Sequence, residues 1–165
     1  MRHLALLLLG LLGLSLAPVG PAEASGPPVS LERLSTCGES WLDWKANPAV
    51  AASFRDYFLE RFEQEPRSGG WQPRRPVSVF GLPVVKAYPQ SVGMAVGFSL
   101  EVRGTAGDLR RAVESAIGRP LQCERAEGAL GCEAELGERR TAMVVAADAG
   151  RGQNSLIGCY YFYQP

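Results

Sequence analysis

VGMAVGFSLEV, running from Val92 to Val102, is the stretch on which the reading of the fold turns. Val92, Met94, Val96, Phe98, Leu100 and Val102 alternate with Gly93, Ala95, Gly97, Ser99 and Glu101. A period of two marks a β-strand whose side chains leave on opposite faces. One face is a core face; the other is nearly bare backbone, and something must lie against it. The nearest candidate is an aromatic N-terminal helix, packed on Gly93, Ala95, Gly97 and Ser99, while the apolar face meets a second helix. In the rival reading the small residues floor a ligand pocket, with Gly93, Gly97, Tyr161 and Tyr163 as ligand-facing positions.

The neighbouring segments supply those helices. Ser40 can cap a short helix carrying Trp41 and Trp44. Asn47-Pro48 opens a longer one, an N-cap residue followed by proline at the first helical position. From Pro48 to about Gln64, Ala51, Phe54, Phe58 and Phe62 form a stripe at helical spacing, flanked by Tyr57. Downstream, Thr105 and Asp108 form a capping-box variant. Leu109, Ala112, Val113, Ala116 and Ile117 then line one face of a helix that Gly118 and Pro120 stop.

Between the helices, residues 65–76 (EPRSGGWQPRRP) read as a loop from their proline and glycine content. Arg67, Trp71, Arg74 and Arg75 make it a candidate partner contact, because arginines beside an exposed tryptophan are a common interface composition. Val77 to Tyr88 reads as a strand that Pro83 interrupts, and Pro89-Gln90-Ser91 as a turn into the opening stretch. Four more strands follow, over 120–126, 129–136, 140–148 and 155–163. Short turns between successive strands give an antiparallel sheet. The expected class is α+β, with about six strands and the order α-α-β-β-α-β-β-β-β. The last strand is apolar on both faces, so its sheet is covered on both sides or keeps one face as a binding surface.

The stretch LQCERAEGALGCEAEL (121–136) predicts a hairpin with Glu127-Gly128 as a two-residue turn. Counting outward places Cys123 opposite Cys132 at a non-hydrogen-bonded pair, where Cα atoms stand about 4.5 Å apart. By elimination Cys37 bonds Cys159. The alternative pairing joins Cys123 or Cys132 to Cys159 through neighbouring strands. In the chain-entropy picture the short loop contributes roughly 2.7 kcal/mol and the long one roughly 5. A metal site is not expected, since the spacings contain no CxxC and no histidine stands near the cysteines.

The start of the chain predicts export. Arg2 precedes the apolar run LALLLLGLLGLSLA (4–17), Pro18 and Pro21 follow, and Ala22-Glu23-Ala24 offers small residues for signal-peptidase cleavage after Ala24. The run is shorter than the ~20 residues that span a bilayer. The expected organisation is a signal peptide over 1–24, a flexible leader over 25–36 and one domain over 37–165. Cleavage leaves 141 of the 165 residues, enough for a single core. It removes one of seventeen basic and one of seventeen acidic residues, so the remainder is formally neutral. A neutral chain lacks the basic footprint that nucleic acid and anionic membranes attract. An even cysteine count in an exported chain reads as disulfides formed in the periplasm or outside the cell.

The one histidine, His3, lies in the signal peptide. Without imidazole, and with its thiols oxidised, the mature chain keeps only carboxylates, two lysines, tyrosines and serines for chemistry. No nucleophile motif surrounds Lys45 or Lys86, acids such as Asp43 and Asp56 read as surface residues, and no phosphate loop is present. The expected function is therefore a non-enzymatic binding or accessory domain of the cell envelope. It needs no cofactor, and its partner is another protein or envelope component. A carrier of a small apolar ligand and a carboxylate-based hydrolase are the alternatives.

Overall fold

The computed structural model describes residues 29–39, 48–67, 69–92, 95–126, 128–137, 139–147 and 154–162. Among them are three helices and nine strands: α1 (Leu31–Ser35), α2 (Pro48–Arg61), β1 (Phe62–Gln64), β2 (Trp71–Pro73), β3 (Ser78–Val79), β4 (Leu82–Val92), β5 (Ala95–Arg103), α3 (Ala106–Ile117), β6 (Gln122–Ala126), β7 (Ala129–Glu135), β8 (Arg140–Ala147) and β9 (Asn154–Phe162). The strands form one sheet in the order β1-β2-β4-β5-β9-β8-β7-β6, with β3 paired to β4. Every pairing is antiparallel. The result is a sheet-rich fold with few helices.

Strand β5 is central, and its apolar face is the core. Phe98 pairs with Cys159 and Leu100 with Ile157, while Cys159 and Ile157 pair in turn with Ala142 and Val144 of β8. Side chains of cross-strand partners share a face, so these residues form one apolar surface, and all of them are buried. The helices cover that surface. Leu31 and Leu34 of α1, Phe54 and Phe58 of α2, and Leu109 and Val113 of α3 join it in a single cluster. α3 is bounded as its sequence requires: the Thr105 hydroxyl accepts from the Asp108 N–H, and Gly118 closes the helix at φ 71°.

The aromatic helix lies on the opposite side of β5 from the one expected. Phe54 and Phe58 meet Phe98 edge to face, with ring centroids 6.4 and 5.9 Å apart. They therefore pack on the large-residue face and not on the glycine face. Apolar area decides this: a phenylalanine stripe buries more surface against Phe98 and Leu100 than against bare backbone.

Other boundaries shift for local reasons. The sheet has nine strands where about six were expected, because short pieces of 62–79 pair. α2 stops at Arg61, and Phe62 continues its aromatic stripe from strand β1, stacked on Phe58 at 4.8 Å. Glu63 pairs with Gln72 in a β1–β2 hairpin, so part of the expected loop is sheet. β3 and β4 join through Phe80-Gly81, both at positive φ (51° and 74°), as a two-residue hairpin turn needs. β4 runs through Pro89 to Val92, which pairs with Ala95, so the residues of the expected turn, Pro89-Gln90-Ser91, are strand. The expected leader also contains structure: α1 is capped by Ser30, whose side chain accepts from the Arg33 N–H. The predicted Trp41–Trp44 helix lies outside the described residues.

Both disulfides take the expected pairing, Cys123–Cys132 from the hairpin register and Cys37–Cys159 by elimination, which excludes the alternative. Cys37 bonds Cys159 (Cα–Cα 5.1 Å), fastening the end of α1 to the centre of the sheet. Cys123 bonds Cys132 (Cα–Cα 4.0 Å) across the β6–β7 hairpin. Disulfides of this kind fit an oxidising compartment. No helix among the described residues is long and apolar enough to cross a membrane.

Candidate binding face

The alternate residues of the same strands build the other face, which none of the three helices covers. The register arranges it in two well-ordered rows. One runs Tyr88, Ser99, Gly158, Met143, Glu133, Gln122; the next runs Lys86, Glu101, Leu156, Val145, Gly131, Glu124. The middle of both rows is small or apolar, and the flanks are charged or aromatic. Leu156 is exposed, and Met143 and Val145 are half-buried.

The bare backbone of β5 is covered on this side by Tyr160. Gly97 pairs with Tyr160, and a β-carbon on Gly97 would meet the Tyr160 ring at 2.7 Å and the Cys159 carbonyl at 2.5 Å. The same ring approaches the position of a Gly158 β-carbon to 3.0 Å. At the β2 side Tyr88 occupies the space over Gly70 in the same way, 2.8 Å from its would-be β-carbon. The glycines thus let aromatic rings approach the backbone closely.

A polar network brackets Tyr88. Its hydroxyl donates to Glu101 Oε2 (3.1 Å), and Asn154 Nδ2 donates to Glu101 Oε1 (2.7 Å). Lys86 Nζ donates to Glu65 Oε2 (2.6 Å), and Gln72 Nε2 donates to Glu65 Oε1 (3.2 Å). Burial raises the Tyr88 phenol above its ordinary value, and the hydrogen bond to Glu101 adds to the rise. The hydrogen bond to Glu65 holds the Lys86 ammonium in its charged form and raises its pKa. Both carboxylates therefore hold neighbouring side chains in place, each accepting from two of them.

Toward the opposite edge a shallow groove of about 270 Å3 is lined by Met143, Val145, Gly131, Gln122, Glu124 and Glu133, together with the hairpin cysteines. Its chemistry is an apolar strip with two carboxylates beside it. Among the described residues no cluster of three or more potential ligands could hold a metal ion.

The residues singled out from sequence are dispersed. Trp71 turns inward, half-buried, its ring nearly perpendicular to that of Phe58 with centroids 6.1 Å apart. Pairing with Ala87 commits it to the core face. Arg74 is held by β1: its Nε donates to the Phe62 carbonyl (3.0 Å) and it pairs with Glu63 (3.2 Å). Arg67 and Arg75 are exposed. The four residues do not form one exposed aromatic-arginine patch. Tyr161 is buried on the core face, its hydroxyl 3.4 Å from the Glu39 carbonyl that accepts from it, and so lies across the sheet from Gly97. Gly93 and Tyr163 lie outside the described residues. Tyr160 was missed, although pairing β5 with the last strand in register, Phe98 against Cys159, would have set it beside Gly97.

Comparison with protein-family models, with curated proteins and with solved structures finds no significant match for this chain.

Proposed function

We propose that the chain is an exported, non-enzymatic binding domain that meets another protein or envelope component with the sheet face opposite the three described helices. Residues 1–24 act as the export signal and are removed, and the mature domain works in the periplasm or outside the cell. The observation that carries this reading is the one-sided packing. All three helices join the core on one face, and the other presents Leu156, Met143, Val145 and the Tyr160 ring. An apolar centre with a charged and aromatic border is the composition of a recognition surface.

The carrier reading draws less support, because the space beside Gly97 that a ligand would take is filled by Tyr160. The hydrolase reading also draws less: Glu65 and Glu101 are tied to Lys86, Tyr88 and Asn154. Asp56 is an exposed residue beside Arg55.

Oxidative footprinting of the domain alone and in complex with the partner recovered from its own host tests the reading. Protection of Met143, Leu156 and Tyr160, with Tyr57 on the helix side unchanged, is expected. The variant Leu156→Arg should weaken the complex by at least about tenfold, since a charge would enter a desolvated interface centre. Protection confined to the helix side, with Leu156→Arg binding normally, would overturn it.

A further inference from the structure

The two disulfides differ in what can reach them. Cys37–Cys159 lies between α1 and the middle of the sheet; Cys37 is 4 % and Cys159 0 % exposed. Leu31 and Leu34 belong to the same buried cluster, and Arg140 Nη1 donates to the Cys37 carbonyl (3.2 Å). Cys123–Cys132 joins the outermost strand to its neighbour. Cys132 is buried, but Cys123 is exposed, as is every residue of β6.

Thiol–disulfide exchange needs a thiolate to reach one sulfur and displace the other. A folded protein grants that approach at Cys123 and denies it at Cys159. The geometry points to Cys123–Cys132 as a thiol-exchange site, opened in the folded protein by a dithiol reductant while Cys37–Cys159 stays closed. In the first step a reductant thiolate attacks the Cys123 sulfur, forming a mixed disulfide and releasing Cys132 as thiolate. In the second the reductant's other thiol displaces Cys123. The reductant leaves oxidised to its own disulfide, both cysteines take up protons, and two electrons have moved to the protein.

The opening has a structural consequence. β6 is held to the sheet by its ladder with β7 and by this bond. None of its five residues is buried. Once the bond is cut, an exposed five-residue edge strand belongs to the low-stability end of the molecule. It should detach readily, taking the Gln122, Cys123 and Glu124 side of the groove with it and leaving β7 as a new, unpaired sheet edge.

The test is partial reduction of the folded, oxidised protein with dithiothreitol, followed by alkylation and peptide mapping. Cys123 and Cys132 should be labelled at least about tenfold faster than Cys37 and Cys159. Amide exchange over 122–126 should rise at least about tenfold, with β8 and β9 unchanged. Simultaneous opening of both bonds, earlier opening of Cys37–Cys159, or opening only at the global unfolding rate would overturn the assignment. The double variant Cys123→Ser/Cys132→Ser gives a second check. Its remaining disulfide should resist the same dithiothreitol, and reduction as fast as the hairpin bond of the wild type would also refute the proposal. A dithiol oxidoreductase protein used in place of dithiothreitol should show the same order, its larger bulk widening the difference.

Discussion

The ring of Tyr160 lies over Gly97, its Cδ1 2.7 Å from the place a β-carbon would take, with the Cys159 carbonyl 2.5 Å from that same point. The ring could swing aside, but the carbonyl belongs to the paired strand. Gly97→Val should therefore destabilise the domain by about 1–3 kcal/mol, the usual cost of overpacking. Urea unfolding of the two proteins measures it. An unchanged midpoint would mean that β5 and β9 are not in this register.

Phe58 is the hub of the aromatic cluster. Its ring touches those of Phe54, Phe62, Trp71 and Phe98, and it is nearly fully buried. Phe58→Ala should cost about 3–5 kcal/mol in the same unfolding experiment. A loss under about 1 kcal/mol would show that α2 does not pack on the sheet.

The disulfides should contribute unequally to stability. Cys37–Cys159 closes a separation of 122 residues and Cys123–Cys132 one of 9. The chain-entropy model gives the long closure an advantage of roughly 2 kcal/mol. Paired serine substitutions, Cys37→Ser/Cys159→Ser against Cys123→Ser/Cys132→Ser, compared by thermal unfolding, should rank in that order. The reverse ranking would place the main constraint in the hairpin.

Glu114 joins the end of α3 to the chain that follows it. Its Oε1 accepts from Arg110 Nε (2.8 Å) and from the Leu121 N–H (2.9 Å). The Arg110 hydrogen bond, then that of Leu121, holds the carboxyl below its ordinary value. A depressed folded-state pKa gives stability that is present above the unfolded value and is lost as pH falls through the folded one. Glu114→Gln should therefore lower Tm at neutral pH, and the gap to wild type should close under acid conditions, below the ordinary carboxylate range. A gap independent of pH would assign the effect to shape and not to charge.

Local rules carried far into this fold where the physics is local. The cap residues Thr105 and Gly118 bound α3 within the expected segment, and the turn count at Glu127-Gly128 gave the register that sets Cys123 against Cys132. The short strands β1, β2 and β3 escaped because two or three residues are too few to show a period, and their pairing depends on partners distant in sequence. Which face of β5 received α2 was equally non-local. Alternation showed two faces, but the choice rested on Phe98 offering Phe54 and Phe58 more apolar area than Gly97 could.

The candidate site was less legible for the same reason. Trp71 reads as an interface residue only while its loop is assumed to be solvated; pairing with Ala87 turns it to Phe58. The outer rows are assembled from six strands, and Lys86, Tyr88, Met143 and Leu156 become neighbours only once the sheet is in register. Tyr160 and Tyr161 are adjacent in sequence, yet one caps Gly97 and the other enters the core.

The most direct test of a domain that works by contact is native mass spectrometry of the processed protein purified from its own host, read together with the footprint of its uncovered sheet face. The account predicts a chain beginning at Ser25, retained with a macromolecular partner that shields Met143, Leu156 and Tyr160. A chain recovered without a partner, turning over substrate at a rate abolished by substitution of one carboxylate or of Lys86, would contradict it.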